Sequence, residues 1–228
     1  MDANLLYLLS WVIIGVSAIF YILLQVIFRK YFNEPNSLGL TGKELVELLN
    51  KETGYGVTIK EGNDFLGDYY NPKNNSIVLS KQVYSLPSIT SIGVSAHEYG
   101  HAIQKNTRYP LMFLRNFLVY YANIGTTLGF WLAFIGILIG AMGLAKIGLF
   151  LYAGIVLFTF FTMPVEFDAS RRALKILKTI KVSGKQLSNG ELDKIRLILG
   201  LAGFTYVISF MSSLINFLYL LSLAKERD

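Results

Sequence analysis

Residues 5–28 read LLYLLSWVIIGVSAIFYILLQVIF, an uncharged apolar run that ends at Arg29 and Lys30. A helix needs about 20 apolar residues to cross a bilayer, so this run is long enough for one crossing. A cleaved signal peptide is the alternative interpretation. However, the run is too long for the apolar core of a signal peptide, no basic segment precedes it, and it lacks a small-residue cleavage site. We therefore predict a retained transmembrane helix at about 5–28, within a first segment of residues 1–30.

Two further apolar regions predict three more crossings. Residues 117–165 are too long for a single helix across the bilayer, and Lys146, with glycines on both sides, predicts a tight turn near residue 146. Residues 198–223 are interrupted only by small or neutral polar side chains and predict a further helix. The sequence thus predicts a mainly α membrane protein with four transmembrane helices, the second and third within 116–165 and the fourth within 197–228.

The distribution of basic residues predicts the orientation. Ten Lys or Arg residues lie between the first and second predicted helices and eight between the third and fourth, whereas the turn between the second and third carries Lys146 alone. The positive-inside rule therefore places both basic connections in the cytoplasm and both termini outside a cell membrane that the chain crosses four times. Anionic lipid headgroups suffice as a counterpart for the net charge of +6, so we expect the lipid bilayer, and no nucleic acid, as a partner. The second basic connection, residues 166–196, is accordingly interpreted as a headgroup-contacting or solvated segment.

The first connection, residues 31–115, predicts a small cytoplasmic α/β subdomain. Thr41 and Glu44 have the spacing of a capping box at the start of a short helix. The segment is too short to bury a large core of its own, so we expect it to lean on the membrane helices.

Two stretches of this subdomain, 57–59 and 76–80, have strand character. The residues Asn-Pro-Lys-Asn-Asn at 71–75 follow the pair Tyr69-Tyr70 and have the turn chemistry of a hairpin. Strand 76–80 is either an edge strand, open to pairing with an extended peptide, or an interior strand.

The only two histidines of the chain fall in one block, His97-Glu98-Tyr99-Gly100-His101, which has the form H-E-x-x-H. On a helix, residues four apart lie on one face, so both imidazoles can bind one metal ion while Glu98 acts as a general base. Serines and a threonine between the apolar residues predict a half-buried helix from about 85–88 to 105, with Pro87 in its first turn. The alternative, a motif inside a transmembrane helix, fits this polar pattern less well.

A catalytic zinc site takes three protein ligands and keeps one position for water. The chain has no third histidine and no cysteine, so thiol catalysis is excluded and the third ligand must be a carboxylate. Glu166 is the strongest candidate, because a carboxylate directly after an apolar helix is costly unless it is paired or bound to metal. An ion pair of Glu166 with Arg171 or Arg172 is the alternative. On a helix, Ser170 shares the face of Glu166 and could support a ligand, whereas Asp168 points away and is expected to pair with an arginine.

The residues around these candidates resemble the YugP-type family of membrane neutral zinc metallopeptidases. The resemblance covers nearly the whole chain and is most specific in two blocks, 95–104 (SAHEYGHAIQ) and 164–173 (PVEFDASRRA), with further similarity at 40–44 and 68–72. It implies a gluzincin-like site with one zinc ion per chain on a zincin-like subdomain, comparable in outline to the site of membrane proteases of the HtpX type. Those proteases carry an E-x-x-x-D pattern, and this chain has Ser170 at the position of the aspartate.

These observations favour a membrane-embedded zinc endopeptidase that acts on peptides or membrane proteins at the cytoplasmic face of the membrane. Glu98 would be the base, and Tyr69, Tyr70, Arg171 and Arg172 are candidates for stabilising the oxyanion. A non-catalytic membrane scaffold with a structural or regulatory metal site is the alternative, although such a site would normally have a fourth protein ligand and no need of Glu98. A transporter is disfavoured because the predicted helices carry almost no charge. The sequence makes no prediction of the oligomeric state.

Overall fold

The computed structural model describes residues 2–227, and this part of the chain is mostly helical with one small sheet. Its α-helices, in chain order, are α1 (Ala3–Phe32), α2 (Gly42–Thr53), α3 (Lys81–Ser85), α4 (Ile89–Asn106), α5 (Pro110–Ile124), α6 (Phe130–Leu138), α7 (Met142–Thr179) and α8 (Asn189–Arg227). Its strands are β1 (Thr58–Gly62), β2 (Tyr69–Asn71) and β3 (Ser76–Ser80). A π-helical stretch, Gly125–Gly129, joins α5 to α6.

Four helical stretches of the described chain are long and apolar enough to cross a membrane, which is the number that the sequence predicts. They are α1, the stretch Pro110–Leu138 that comprises α5 and α6, α7, and α8. The last two extend well beyond the predicted limits, over 38 and 39 residues. The predicted connection 166–196 is therefore largely helical.

The turn between the second and third spans lies at 139–141, and not near Lys146 as predicted, since that lysine lies within α7. Gly140 has a φ of +75°, a conformation that glycine adopts without strain and that ends a helix. Gly148, close to Lys146, has a different structural role. A side chain at Gly148 would collide with the main chain of Ala133, so this glycine lets α6 and α7 pack backbone to backbone.

The predicted hairpin is confirmed, because β2 pairs with β3 in antiparallel orientation. β1 pairs with the other side of β3 in parallel orientation, and the strand order is β1-β3-β2. β3 is therefore the central strand, and the interpretation of 76–80 as an edge strand is wrong. The capping box at the start of α2 is also confirmed: the Thr41 side chain accepts from the main-chain N–H of Glu44, and the Glu44 carboxylate accepts from that of Thr41.

Residues Ile22–Tyr109 and Glu166–Gly203 form one compact unit, which contains the sheet and α4. α4 lies at the centre of its core, because 14 of its 18 residues are buried. The prediction of a half-buried helix is therefore wrong. Several of its polar side chains are buried with hydrogen-bond partners, as when the Thr90 hydroxyl donates to the main-chain oxygen of Phe28 over 3.2 Å. Segments of α1, α7 and α8 complete this core, so the subdomain uses helices that the sequence assigns to the membrane.

Met1–Tyr21, Pro110–Val165 and Phe204–Asp228 form the other compact unit, of which residues 1 and 228 lie outside the described range. Its buried core includes small and aliphatic residues of three helices, among them Ala133, Ala145 and Leu220. Small residues at such contacts are typical of helix packing in membranes, where close van der Waals contact replaces the hydrophobic effect.

Candidate metal centre

Helix α4 presents both histidines on one face. The helix begins after Ser88, whose hydroxyl oxygen accepts a hydrogen bond from the main-chain N–H of Ser91 over 3.1 Å. Pro87 therefore lies before this cap, and not in the first turn as predicted. One helical turn separates His97 from His101, and the centroids of the two rings are 4.9 Å apart.

The carboxylate of Glu166, on α7, lies against both imidazoles. Its Oε2 atom is 3.2 Å from Nε2 of His97 and 3.3 Å from Nε2 of His101. The ligand atoms of the three residues all lie within 4.8 Å of one another. Only 3% of the Glu166 side chain is exposed, a degree of burial at which an uncompensated carboxylate would be costly. The structure thus brings together the three residues that the sequence analysis selected as metal ligands.

A backbone contact between α4 and α7 makes this approach possible. A Cβ atom at Gly100 would lie 2.6 Å from the main-chain oxygen of Ala169, well inside van der Waals contact. Both residues are buried. The absence of a side chain at Gly100 therefore lets α7 come close enough for Glu166 to reach the histidines.

Ser170 supports His97. Its Oγ atom is 3.1 Å from Nδ1 of His97, on the opposite side of the ring from the atom that faces Glu166. A partner on one ring nitrogen fixes the orientation of the other. Although serine replaces the aspartate of the E-x-x-x-D pattern, it still contacts a histidine, as a neutral partner without negative charge.

A longer series of hydrogen bonds supports His101. Its Nδ1 atom is 2.9 Å from Oε1 of Gln104, and Nε2 of Gln104 donates to Oδ2 of Asp168 over 2.9 Å. The predicted ion pair of Asp168 is also present, since Nε of Arg172 donates to the same oxygen over 2.6 Å. Because the Gln104 amide donates to a carboxylate, its oxygen faces His101 and accepts a hydrogen bond from Nδ1–H, so the neutral form of this imidazole would offer its Nε2 lone pair to a metal.

Gln104 is not among the site residues predicted from the sequence. Its distance of three residues from His101 was the available signal, because side chains at that spacing are neighbours on a helix.

Asp68, near Glu98, is a second residue that was not predicted from the sequence. The main-chain N–H of Ser80 donates to its Oδ1 over 2.7 Å, and the Ser80 hydroxyl donates to its Oδ2 over 3.2 Å. Burial raises the pKa of Asp68 to about 6, and the negative charge of Glu98 adds to the effect, while the hydrogen bonds from Ser80 oppose it. Glu98 is itself buried, with 7% exposure. Asp68 is therefore a half-buried carboxyl group that is close enough to Glu98 to be affected by its charge.

The protonation of His101 is linked to metal binding. Burial lowers the pKa of His101, but the negative charge of Glu166 outweighs burial, and the pKa is raised to about 9. An imidazole binds a metal ion in its neutral form, so binding would have to release this proton. Protons would therefore compete with a metal ion for His101.

The four candidates for oxyanion stabilisation have different surroundings. Tyr70 is buried, and its hydroxyl donates to Oδ1 of Asn75 within the hairpin over 2.7 Å. The Arg172 guanidinium is held by Asp168. Tyr69 and Arg171 are exposed. None of the contacts described for these side chains joins them to the three ligands.

The ligand atoms fit a zinc ion. Two imidazole nitrogens and one carboxylate oxygen form one of the ligand sets of catalytic zinc sites, in which water takes the fourth position. Magnesium and calcium prefer sites made of oxygen atoms. Within residues 2–227, the cluster contains three such side chains and no fourth. The partners that orient both histidines are also typical of zinc centres.

Comparisons with known proteins agree with this chemistry. Residues 6–225 match the model of a protein family described as "putative neutral zinc metallopeptidase". The chain is 33% identical over 192 residues to the "Putative membrane protease YugP" of Bacillus subtilis (strain 168), and the match covers 84% of each protein. No solved structure gives a significant match. The family match extends over nearly the whole chain, and the chain therefore belongs to the family of putative neutral zinc metallopeptidases.

Proposed function

We propose that this protein is a membrane-embedded zinc endopeptidase that hydrolyses peptide bonds at the cytoplasmic face of the membrane. The observation that carries the proposal is the convergence of His97, His101 and Glu166 from two helices, with Glu98 on the same helix as the histidines. Membership of a zinc metallopeptidase family and four apolar helices support the same reaction class and location.

The side chains have separate roles in this proposal. His97 and His101 would hold the ion through Nε2, because Ser170 and Gln104 lie at their Nδ1 atoms, and Glu166 would supply the anionic ligand. A bound zinc ion supplies an acidic water and polarises the scissile carbonyl group. The Glu98 carboxylate accepts the proton of the attacking water and later delivers it to the leaving amine.

The location of the reaction is inferred from charge. Both connections that contribute to the unit with the metal centre are the ones rich in Lys and Arg, and such loops stay on the cytoplasmic side. Substrates at this position would be membrane proteins or peptides close to the membrane surface. β3 is occupied on both sides, so an extended substrate would have to pair elsewhere, and the free edges of β1 and β2 are the remaining sites in this sheet.

The test compares wild type with Glu98→Gln, using purified protein in detergent. Zinc content and the cleavage of fluorescent casein and of an unfolded membrane protein are measured together. We expect about one zinc ion in both proteins and cleavage by wild type alone, because the substitution removes the base but no ligand. Glu52→Gln, on the exposed surface of α2, is the matched control and should keep both zinc and activity. Full activity of zinc-loaded Glu98→Gln would contradict the mechanism, and zinc without cleavage in wild type would favour the scaffold alternative.

A further inference from the structure

Asp168 and Arg172, one helical turn apart on α7, connect His101 to the surface of the unit that contains the metal centre. The Gln104 amide lies between His101 and Asp168, at 2.9 Å from a polar atom of each. The Asp168 oxygen that accepts from Gln104 also accepts from Nε of Arg172 over 2.6 Å. The side chains of Asp168 and Arg172 are partly exposed, so the series runs from a buried imidazole to the solvent.

The chemistry of these groups allows only one direction of hydrogen bonding along the series. A guanidinium has donors and no acceptor, and an ionised carboxylate has acceptors only. Asp168 therefore accepts from both neighbours, and the Gln104 amide turns its NH2 group towards Asp168. The amide oxygen then faces Nδ1 of His101, where it accepts. A neutral imidazole that donates from Nδ1 has its lone pair on Nε2, the atom that faces Glu166.

Gln104 does not fix this direction through its own chemistry. The oxygen and nitrogen ends of an amide have nearly the same shape, so either can face His101. With its NH2 group towards His101, the amide would donate to Nδ1 and favour the tautomer whose Nε2 carries a proton and cannot bind metal. The carboxylate of Asp168 excludes this second orientation, because it would bring two acceptor oxygens against each other.

Arg172 holds the carboxylate of Asp168 in position. Besides its bond to Asp168, its guanidinium lies 5.7 Å from the centre of the Tyr109 ring, and its Nη1 atom is 3.5 Å from the hydroxyl oxygen of Thr107. Thr107 and Tyr109 belong to the turn that follows α4, so Arg172 joins α7 to the end of the helix that carries the histidines. These contacts fix the carboxylate relative to Gln104.

His97 has a different kind of partner. Its Nδ1 atom is 3.1 Å from Oγ of Ser170, and a hydroxyl group can donate or accept. This partner is compatible with either tautomer of the ring. His101 is therefore the ligand whose metal-binding nitrogen depends on a charged group outside the centre.

We propose that Asp168 is a positioning residue that selects the metal-binding tautomer of His101 through Gln104, and that Arg172 holds Asp168 in place for this role. The proposal rests on the metal site of the proposed function, but not on the hydrolysis of any substrate. Its test can therefore be made by metal binding and spectroscopy alone.

The test uses the full chain in detergent and combines Asp168→Asn with Gln104→Leu in a double-mutant cycle. Competition with a chromophoric chelator measures zinc affinity. We expect Asp168→Asn to weaken zinc binding about ten-fold, since an asparagine can donate as well as accept and so permits the second orientation of Gln104. In the Gln104→Leu background the same substitution should have no further effect, because no amide remains to be oriented.

Nuclear magnetic resonance provides a readout that a merely structural role would not change. The chain has only two histidines, so 15N labelling of histidine gives four ring nitrogens. The Nδ1–H signal of His101 should exchange slowly with water in zinc-loaded wild type and be lost to exchange in Asp168→Asn. The His97 signals in the same spectra should not change. Arg172→Gln should weaken zinc binding in the same direction, whereas Arg172→Lys, which keeps the charge, should retain most of the affinity.

Asp193→Asn is the matched control. Asp193 also pairs with an arginine of its own helix, Arg196, but the two side chains are 67% and 65% exposed. This variant should bind zinc as wild type does.

An effect of Asp168→Asn that is equal with and without Gln104 would overturn the proposal, since Asp168 would then act by its charge or by stabilising the fold. An unchanged Nδ1–H signal in Asp168→Asn would also overturn it. If Asp168→Asn fails to fold, the arginine variants decide, and equal zinc affinity of Arg172→Gln and Arg172→Lys would then overturn the proposal. Zinc binding without cleavage in wild type would contradict the proposed function alone.

Discussion

Gln104 determines which nitrogen of His101 faces Glu166. Gln104→Leu removes the acceptor for Nδ1 and the donor to Asp168, so His101 loses the bond that orients its ring. Loss of such a partner typically weakens metal binding by about 10- to 100-fold, and we expect a decrease of that size in zinc affinity. Competition with a chromophoric chelator measures it. Gln186→Leu, at an exposed glutamine, is the control and should not change the affinity. An unchanged affinity of Gln104→Leu would show that the protein holds His101 by other contacts.

Asp68 gives stability a dependence on pH. Its pKa is about 6 in the folded protein and 3.8 ordinarily, so folding favours the protonated form. Its contribution to stability is therefore fully present below about pH 4 and is lost as the pH rises through about 6. Asp68→Asn cannot ionise, so the melting temperature of this variant minus that of wild type should increase between pH 5 and pH 8. Thermal unfolding of chelator-treated protein measures the difference, and Asp64→Asn, at an exposed residue, should show no such trend. A difference that does not change with pH would contradict the assigned pKa.

Individual residues of the centre differ in how well the sequence predicts them. His97, Glu98 and His101 follow from local spacing on one helix. The absence of a third histidine and of cysteine leaves a carboxylate as the third ligand, and the position of Glu166 directly after an apolar helix selects it among the acidic residues. Ser170 follows from its position one turn after Glu166. Asp68 lies in a block of family similarity, 68–72, but no spacing rule connects it to the motif. Its position near Glu98 depends on tertiary structure, because its carboxylate is hydrogen-bonded to Ser80 at the end of β3.

At the scale of the elements, the contact between α4 and α7 controls the geometry of the centre. Gly100→Ala would place a Cβ atom 2.6 Å from the main-chain oxygen of Ala169 and force the helices apart. Overpacking of this kind costs about 1–3 kcal/mol, even though alanine is the better helix former by about 1 kcal/mol. We expect a lower melting temperature and weaker zinc binding, because Glu166 moves away from the histidines.

Gly200→Ala provides the matched control for this prediction. Gly200 also lies in a helix of the same unit, but a Cβ atom there would meet nothing within 4 Å. This variant should bind zinc normally and be as stable as wild type or slightly more stable. Equal behaviour of the two variants would show that the backbone contact at Gly100 does not position Glu166.

The elements themselves were predicted where the signals are local. The capping box of α2, the hairpin and strand 76–80 are examples. The central position of β3 in the sheet was not predictable in this way. It depends on β1, which comes before the hairpin in the chain and pairs with the side of β3 that β2 leaves open. The burial of α4 was underestimated for a similar reason. Its hydroxyl side chains look solvent-facing by composition, but they are covered by other elements: the Ser91 hydroxyl donates to Gln82 of α3 and the Thr90 hydroxyl donates to Phe28 of α1.

At the scale of the whole molecule, orientation in the membrane can be tested with single cysteines, because the chain has none of its own. Ile139 lies in the turn between the second and third spans and is 66% exposed, and Lys185 is exposed between α7 and α8. The charge distribution predicts that Ile139→Cys reacts with an impermeant maleimide in intact cells. Lys185→Cys should react only after the membrane is permeabilised. The reverse pattern would place the metal centre outside the cytoplasm.

The order of the ligands along the chain bears on how the protein matures. The ribosome completes α4, with both histidines, before it makes the membrane hairpin of residues 110–165, and Glu166 emerges only afterwards. The carboxylate can meet the imidazoles only if the hairpin has entered the bilayer and returned the chain to the same side. On the proposed topology, the centre would therefore assemble only after membrane insertion. A chain that stalled before this step would lack the anionic ligand, and the proposed hydrolysis would begin only once the newly made protein had reached its membrane.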